Sequence, residues 1–130
     1  MSIAEMSSSL RRPGSAIRFY EIVIDCSDPL SLAPFWAEAL GYEVDELEGD
    51  VASIEHPTDE GPAICFQRVP ESKQGKNRVH FDLNVDEYEF EGAVERLISL
   101  GARQVDVGQG VDRSWVVLAD PEGNEFCIVA

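Results

Sequence analysis

The stretch that decides the fold is VVLADPEGNEFCIV, Val116 to Val129. Two apolar runs flank Asp120-Pro121-Glu122-Gly123, with Pro and Gly where a type I turn takes them. The stretch therefore reads as a hairpin. Its second strand alternates, placing Phe126 and Ile128 on one side and Glu125, Cys127 and Val129 on the other. The same plan occurs earlier in the chain. His56-Pro57 stands where Asp120-Pro121 does, and Ile64-Cys65-Phe66 matches Phe126-Cys127-Ile128. Leu40-Gly41 likewise returns as Leu100-Gly101. This is an internal repeat. A half of this size buries too little alone, so the two halves are expected to pair their sheets.

Working outward, each half reads as strand, helix, then three strands. Residues 17–26 (IRFYEIVIDC) alternate and are rich in β-branched and aromatic types, so they predict a strand. Ser27 or Asp28 is placed to cap a helix whose first turn accepts Pro29. Leu32, Phe35, Trp36, Ala39 and Leu40 fall at helical spacing, and Gly41 ends the helix. Pro34 is tolerable there only because it lies near the first turn. Strands are expected near 42–47, 50–56 and 62–69, and the polar run 70–77 (PESKQGKN) reads as a linker. The second half follows with a strand over 78–86, a helix over 87–100 with Phe90, Ala93, Val94, Leu97 and Ile98 on one face, and strands near 103–107, 112–119 and 124–129. Residues 1–15 read as a flexible tail, and 16–130 as one domain with modules 16–69 and 78–130.

The 130 residues carry 25 acidic against 10 basic side chains, a net charge of −15. Phosphate backbones and anionic membranes repel such a surface, so nucleic acid and membrane are not expected partners. The same field favours a cationic small molecule or a metal ion, or is simply a well-solvated acidic surface. Three cysteines, Cys26, Cys65 and Cys127, form no C-x-x-C pair, which argues for a reducing, cytoplasmic setting. No apolar run approaches the ~20 residues that span a bilayer.

The alternation also separates what faces the helices from what does not. Tyr20, Ile22 and Ile24 share one side of the first strand, and Glu21, Val23 and Asp25 the other. On the fifth strand Phe81, Leu83 and Val85 oppose His80, Asp82 and Asn84; on the fourth, Ile64 and Phe66 oppose Cys65 and Gln67. Glu21 and His80 are the candidate acid–base or metal-ligating pair, since a carboxylate beside an imidazole adjusts its proton affinity. Asp82, Asn84 and Gln67 are candidate ligand contacts. Trp36 reads as core. Trp115, whose alternation groups it with Val117 and Ala119, is a candidate wall for an aromatic or cationic ligand, or a packing residue. His56, beside a turn proline, reads as a surface residue.

Three segments together, IDCSDPLSLAPFWAEALGY (24–42), RVHFDLNVDE (78–87) and VVLADPEGNEFCIV (116–129), resemble the glyoxalase / bleomycin-resistance / extradiol-dioxygenase superfamily, the vicinal oxygen chelate proteins, in its glyoxalase-like branch. The resemblance covers about residues 17–129. It implies an α+β fold of two tandem βαβββ modules whose eight strands form an open cup. It implies one divalent ion (Zn, Ni, Fe or Mn) in metal-using members, and positions its ligands on Glu21, Cys65 (or Gln67), His80 and Cys127. Cysteine at the last position departs from the carboxylate such members carry. Cys65 and Cys127 then read either as zinc ligands or as packing residues lining the cup. The resemblance also implies a homodimer.

Three functions follow as expectations: a metal-dependent lyase, isomerase or dioxygenase acting on a small oxygenated metabolite; metal-free sequestration of a cationic drug or metabolite; or a non-catalytic regulatory module.

Overall fold

A computed structural model of the chain describes residues 16–105 and 115–130. The tail expected over 1–15 and the parts of two expected strands within 106–114 lie outside the described residues. Strands β1 (Glu21–Cys26), β2 (Glu43–Glu48), β3 (Val51–Glu55) and β4 (Ala63–Arg68) form one sheet, in the order β1-β4-β3-β2. Strands β5 (Asp82–Asn84), β6 (Arg103–Gln104), β7 (Trp115–Ala119) and β8 (Glu125–Val129) form a second, in the order β5-β8-β7-β6. Helix α1 (Pro29–Leu40) follows β1; helix α2 (Phe90–Leu100), entered through a 3₁₀ turn at Glu87–Glu89, follows β5. In each module the first strand runs parallel to the last. Parallel neighbours require a crossover, and the helix supplies part of it. The architecture is the α+β tandem of βαβββ modules expected from the repeat.

The predicted faces hold apart from the start of the first strand, where Tyr20 and Ile22 lie outside the core. Ile24, Cys26, Ala52, Ile54, Ile64 and Phe66 of the first sheet point to α1; Val116, Leu118, Phe126 and Ile128 of the second join the same core. Both helices therefore cover one side of the sheets and leave the other side free of helix. Leu32, Phe35 and Trp36 are the buried stripe of α1, and Trp36 carries it across the module boundary. Its ring meets Phe126 edge-on at 4.8 Å and Phe81 at 5.6 Å between centroids. Such edge-to-face pairs add to the area they bury.

The Asp120 turn holds this junction. Asp120 is only 2% exposed, yet its carboxylate is satisfied. Trp36 Nε1 donates to Oδ2 at 3.1 Å, the Glu122 and Asn124 N–H groups donate to Oδ1 at 2.9 and 3.0 Å, and the Asn124 side-chain amide donates to both oxygens. Gly123 adopts φ 89°, which closes the turn and favours glycine. Glu122 then reaches the start of α1: its two carboxylate oxygens accept from the Ser27 and Asp28 N–H groups at 2.7 and 2.8 Å. A negative charge at a helix N-terminus is favourable.

That contact corrects the predicted cap. Neither Ser27 nor Asp28 caps α1 with its side chain; Asp28 instead accepts from the Ser31 hydroxyl. The donors just before the helix are met from the other module. Other boundaries shift for local reasons. Tyr20 precedes β1 and is 88% exposed, not packed on the helix side. β5 spans three residues rather than the whole of 78–86, although Phe81 and Val85 extend its ladder through bonds to Cys127 and Val129. Ile98 is 44% exposed, on the margin of the α2 stripe. His56 is half-buried, not a plain surface residue. Its Nδ1 accepts from the Thr58 and Glu60 N–H groups and so shapes the turn after β3. α1 continues through Pro34 despite the hydrogen bond that residue withholds.

Replacing Asp120 by Ala leaves the Trp36 indole and two backbone N–H groups without partners in a dry interior. Each unmet group costs about 1–3 kcal/mol, so Asp120→Ala is expected to lower unfolding free energy by roughly 3 kcal/mol or more. Urea denaturation followed by tryptophan fluorescence checks this; a loss below about 1 kcal/mol would mean that the turn does not hold the modules together.

Candidate functional site

On the helix-free side, the second sheet gathers its chemistry around Cys127. β5 runs parallel to β8 with Asp82 opposite Cys127, and β7 runs antiparallel to β8 with Val117 opposite Cys127 and Trp115 opposite Val129. Residues opposite one another share a face, and so do residues two apart on one strand. His80, two residues before Asp82, falls on that face. The outcome is a trio, His80, Asp82 and Cys127, whose ligand atoms all lie within 4.8 Å of one another. His80 Nε2 stands 3.1 Å from Asp82 Oδ1. His80 and Asp82 are exposed, whereas Cys127 is 5% exposed, so the thiol forms the floor and the other two form the rim.

The Asp82 carboxylate and the Trp115 side chain neighbour the Cys127 thiol. Burial pushes the Cys127 thiol up from its ordinary value and the Asp82 charge adds to this, while the Trp115 hydrogen bond and the Lys76 charge pull the other way. The set offers one imidazole nitrogen, one carboxylate oxygen and one sulfur. That combination fits a borderline ion such as zinc, with three protein ligands and one position left for a small molecule.

The first sheet carries the matching positions without the matching chemistry. Val23 stands opposite Cys65 where Asp82 stands opposite Cys127. Cys65 is half-buried; burial raises its thiol, and the charges of Glu21 and Glu46 raise it further. Glu21 is thus a neighbour of Cys65, and among the described residues neither joins a cluster of three ligand atoms. Gln67 is exposed opposite Asp25. Asn84 donates its amide to the Val129 carbonyl at 3.3 Å, so it ties the end of β5 to β8. Trp115 is half-buried beside Cys127 on the face its alternation predicts. The structure therefore brings together His80 and Cys127 from the expected ligand set and adds Asp82. The H-x-D spacing on an alternating strand is the signal that could have found it.

Several comparisons bear on this arrangement. The model of the family described as "Glyoxalase-like domain" matches residues 21–129. No curated protein sequence matches the chain significantly. Among solved structures, a glyoxalase/bleomycin resistance protein/dioxygenase family enzyme from Burkholderia phytofirmans superposes with a TM-score of 0.67 at 18% identity, over 84% of this chain and 94% of that one. A mutant of the fosfomycin resistance protein FosX from Listeria monocytogenes, complexed with Mn(II) and 1S,2S-dihydroxypropylphosphonic acid, superposes with a TM-score of 0.65 at 19% identity, over 87% and 89%. The oxidase ChaP-H2 gives 0.64 at 18%, over 88% and 94%. At these identities the likeness is one of fold.

Cys26 lies on the helix side, in the core, and takes no part in the cluster. Burial, then the charge of Glu122, pushes its thiol from 9.0 to about 11. A raised pKa in the folded state stabilises below the unfolded value, and that stability drains away as pH rises from 9 toward 11. The contribution is on the order of 2 kcal/mol. Urea denaturation between pH 8 and pH 11 is expected to show this alkaline loss in the natural chain and a smaller one in Cys26→Ala; equal losses would contradict it.

Proposed function

Because the chain belongs to the glyoxalase-like domain family, we propose that it acts on a small oxygen-bearing molecule at the helix-free face of its second sheet, through a divalent ion held by His80, Asp82 and Cys127. The observation that carries this reading is the convergence of those three ligand atoms on one face, two of them exposed. When bound, the ion would supply Lewis-acid polarisation of a substrate oxygen. His80 and Asp82 would hold it from the rim and Cys127, as thiolate, from below, with the Trp115 side chain beside the sulfur. Val117, buried beside Cys127, keeps the floor of the site dry.

The FosX relative carries Mn(II). A thiol in the donor set moves this chain toward softer ions, zinc before manganese. Glu21 and Cys65 (or Gln67), the other positions that the resemblance implies as ligands, lie outside the trio, and Glu21 is read here as a charge on the neighbouring sheet rather than a ligand.

Zinc is expected to bind one equivalent, and cobalt substitution to give a thiolate-to-cobalt absorption band that disappears in Cys127→Ser. His80→Ala and Asp82→Ala should each weaken zinc by more than the roughly 10–100-fold that loss of an outer-shell partner costs. Glu21→Ala should leave affinity within about twofold, since the ten- to hundredfold range belongs to groups touching the ion or its ligands. A cobalt complex without the sulfur band, or zinc loss on Glu21→Ala equal to that on Asp82→Ala, would overturn the assignment.

A further inference from the structure

His80 does not sit on a regular strand. β5 begins at Asp82, and residues 78–80 form an arch between two anchors on β8. One anchor is Cys127, whose N–H donates to the Phe81 carbonyl at 2.8 Å. The other is Glu125, where the Asn77 side chain takes the place of a ladder partner. Asn77 Oδ1 accepts from the Glu125 N–H at 2.7 Å, and Nδ2 donates to the Glu125 carbonyl at 3.2 Å. A primary amide offers both groups at once, as the backbone of a paired residue would. Two residues of strand separate the anchors, about 6.6 Å. The four steps from Asn77 to Phe81 could span about 13 Å. The slack is taken up outward: Val79, at the top of the arch, is 80% exposed, and His80 stands at its end.

The arch is also tied from inside. Asn77 Nδ2 donates to the Val79 carbonyl, which belongs to the peptide unit that carries the His80 N–H. Both amide hydrogens of Asn77 are thereby used. The Asn77 backbone N–H donates to Glu125 Oε2 at 3.1 Å, and Lys73 Nζ holds Oε1 at 3.2 Å. The side chains of Glu125 and Lys73 are 14% and 26% exposed. In such a partly dry setting these bonds are stronger than in water. Asn77 and Glu125 give no ligand atom to the trio. The His80 ring, for its part, has Asp82 as its one ion-pair partner among the described residues. An exposed ring with a single partner owes its place to the backbone that carries it.

We infer that Asn77, braced by Glu125 and Lys73, is a positioning residue for this face: it fixes the Val79–His80 peptide so that the imidazole stays within reach of Asp82 and Cys127. The consequence for metal rests on the ion site proposed above, whereas the placement of His80 is measurable without metal.

The chain has two histidines, so the His80 ring signals are simple to assign by NMR in the full chain. Without metal, the natural chain is expected to show Overhauser contacts from the His80 ring to the β-protons of Asp82 and Cys127. Asn77→Ala should lose both contacts and weaken zinc by about tenfold or more, the range for a group that supports a ligand. Glu125→Ala should weaken both contacts. Glu125→Gln, which keeps an oxygen for the Asn77 N–H, should preserve them. Tryptophan fluorescence in urea reports whether each variant is folded; a merely structural role would lower the unfolding midpoint and leave contacts and zinc affinity of the folded molecules unchanged. Contacts that depend on Asn77 in a chain that takes no zinc would remove the ion assignment and keep the positioning role. Unchanged contacts in folded Asn77→Ala and Glu125→Ala would overturn the inference, whatever the zinc result.

Discussion

The rest of the structure depends on one buried carboxylate. Asp120 takes the indole N–H of Trp36 and the backbone of its own turn into a site closed to water. An isolated charge there would be prohibitive; one with several donors is tolerated and demands a fixed geometry. That demand fixes where the second module stands against the first. Trp36 cannot rotate without losing its acceptor, and Phe81 and Phe126 pack on Trp36. Glu122, two residues on, adds a second tie at the start of α1. The junction is held by polar contacts of defined direction set within an apolar core, so the modules meet in one arrangement.

This arrangement gives the two halves different work. The repeat supplies each sheet with a cysteine on the helix-free side, yet only the second supplies His80 and Asp82 beside it. The first sheet has valine at the position of Asp82, and Glu21 at the position of His80. Duplicated scaffolding thus carries one concentrated set of ligand atoms and one acidic wall.

Much of this was legible in the sequence because it is local. Alternation alone separates Phe81 and Leu83 from His80 and Asp82, and glycine at 41 and 101 ends both helices as expected. The repeat gives the strand–helix order of both modules. What alternation does not show is which distant groups meet. Asp28 looks like a cap because caps are judged from neighbours, but the group that serves the α1 start is Glu122, from the other module. Glu21 looks like a partner for His80 because both sit on the first strand of a module. Their relation is set by how two sheets approach, and no local pattern encodes that. Asp82 was visible as a face residue, but only the β5–β8 register shows that it stands opposite Cys127.

The ties of the DPEGN turn also have a consequence in time. Trp36 and Asp120 are 84 residues apart in the chain, and Ser27 and Glu122 are 95 apart. Contacts of such span are closed late, since the loop entropy must be met before they contribute. A ribosome that has delivered the whole first module has therefore delivered a helix whose indole has no acceptor and whose leading N–H groups have no carboxylate. The nascent module stays incomplete until the chain has emerged through residue 124. During that interval Trp36 and the apolar edge of β1 are open to any chaperone that recognises such surfaces.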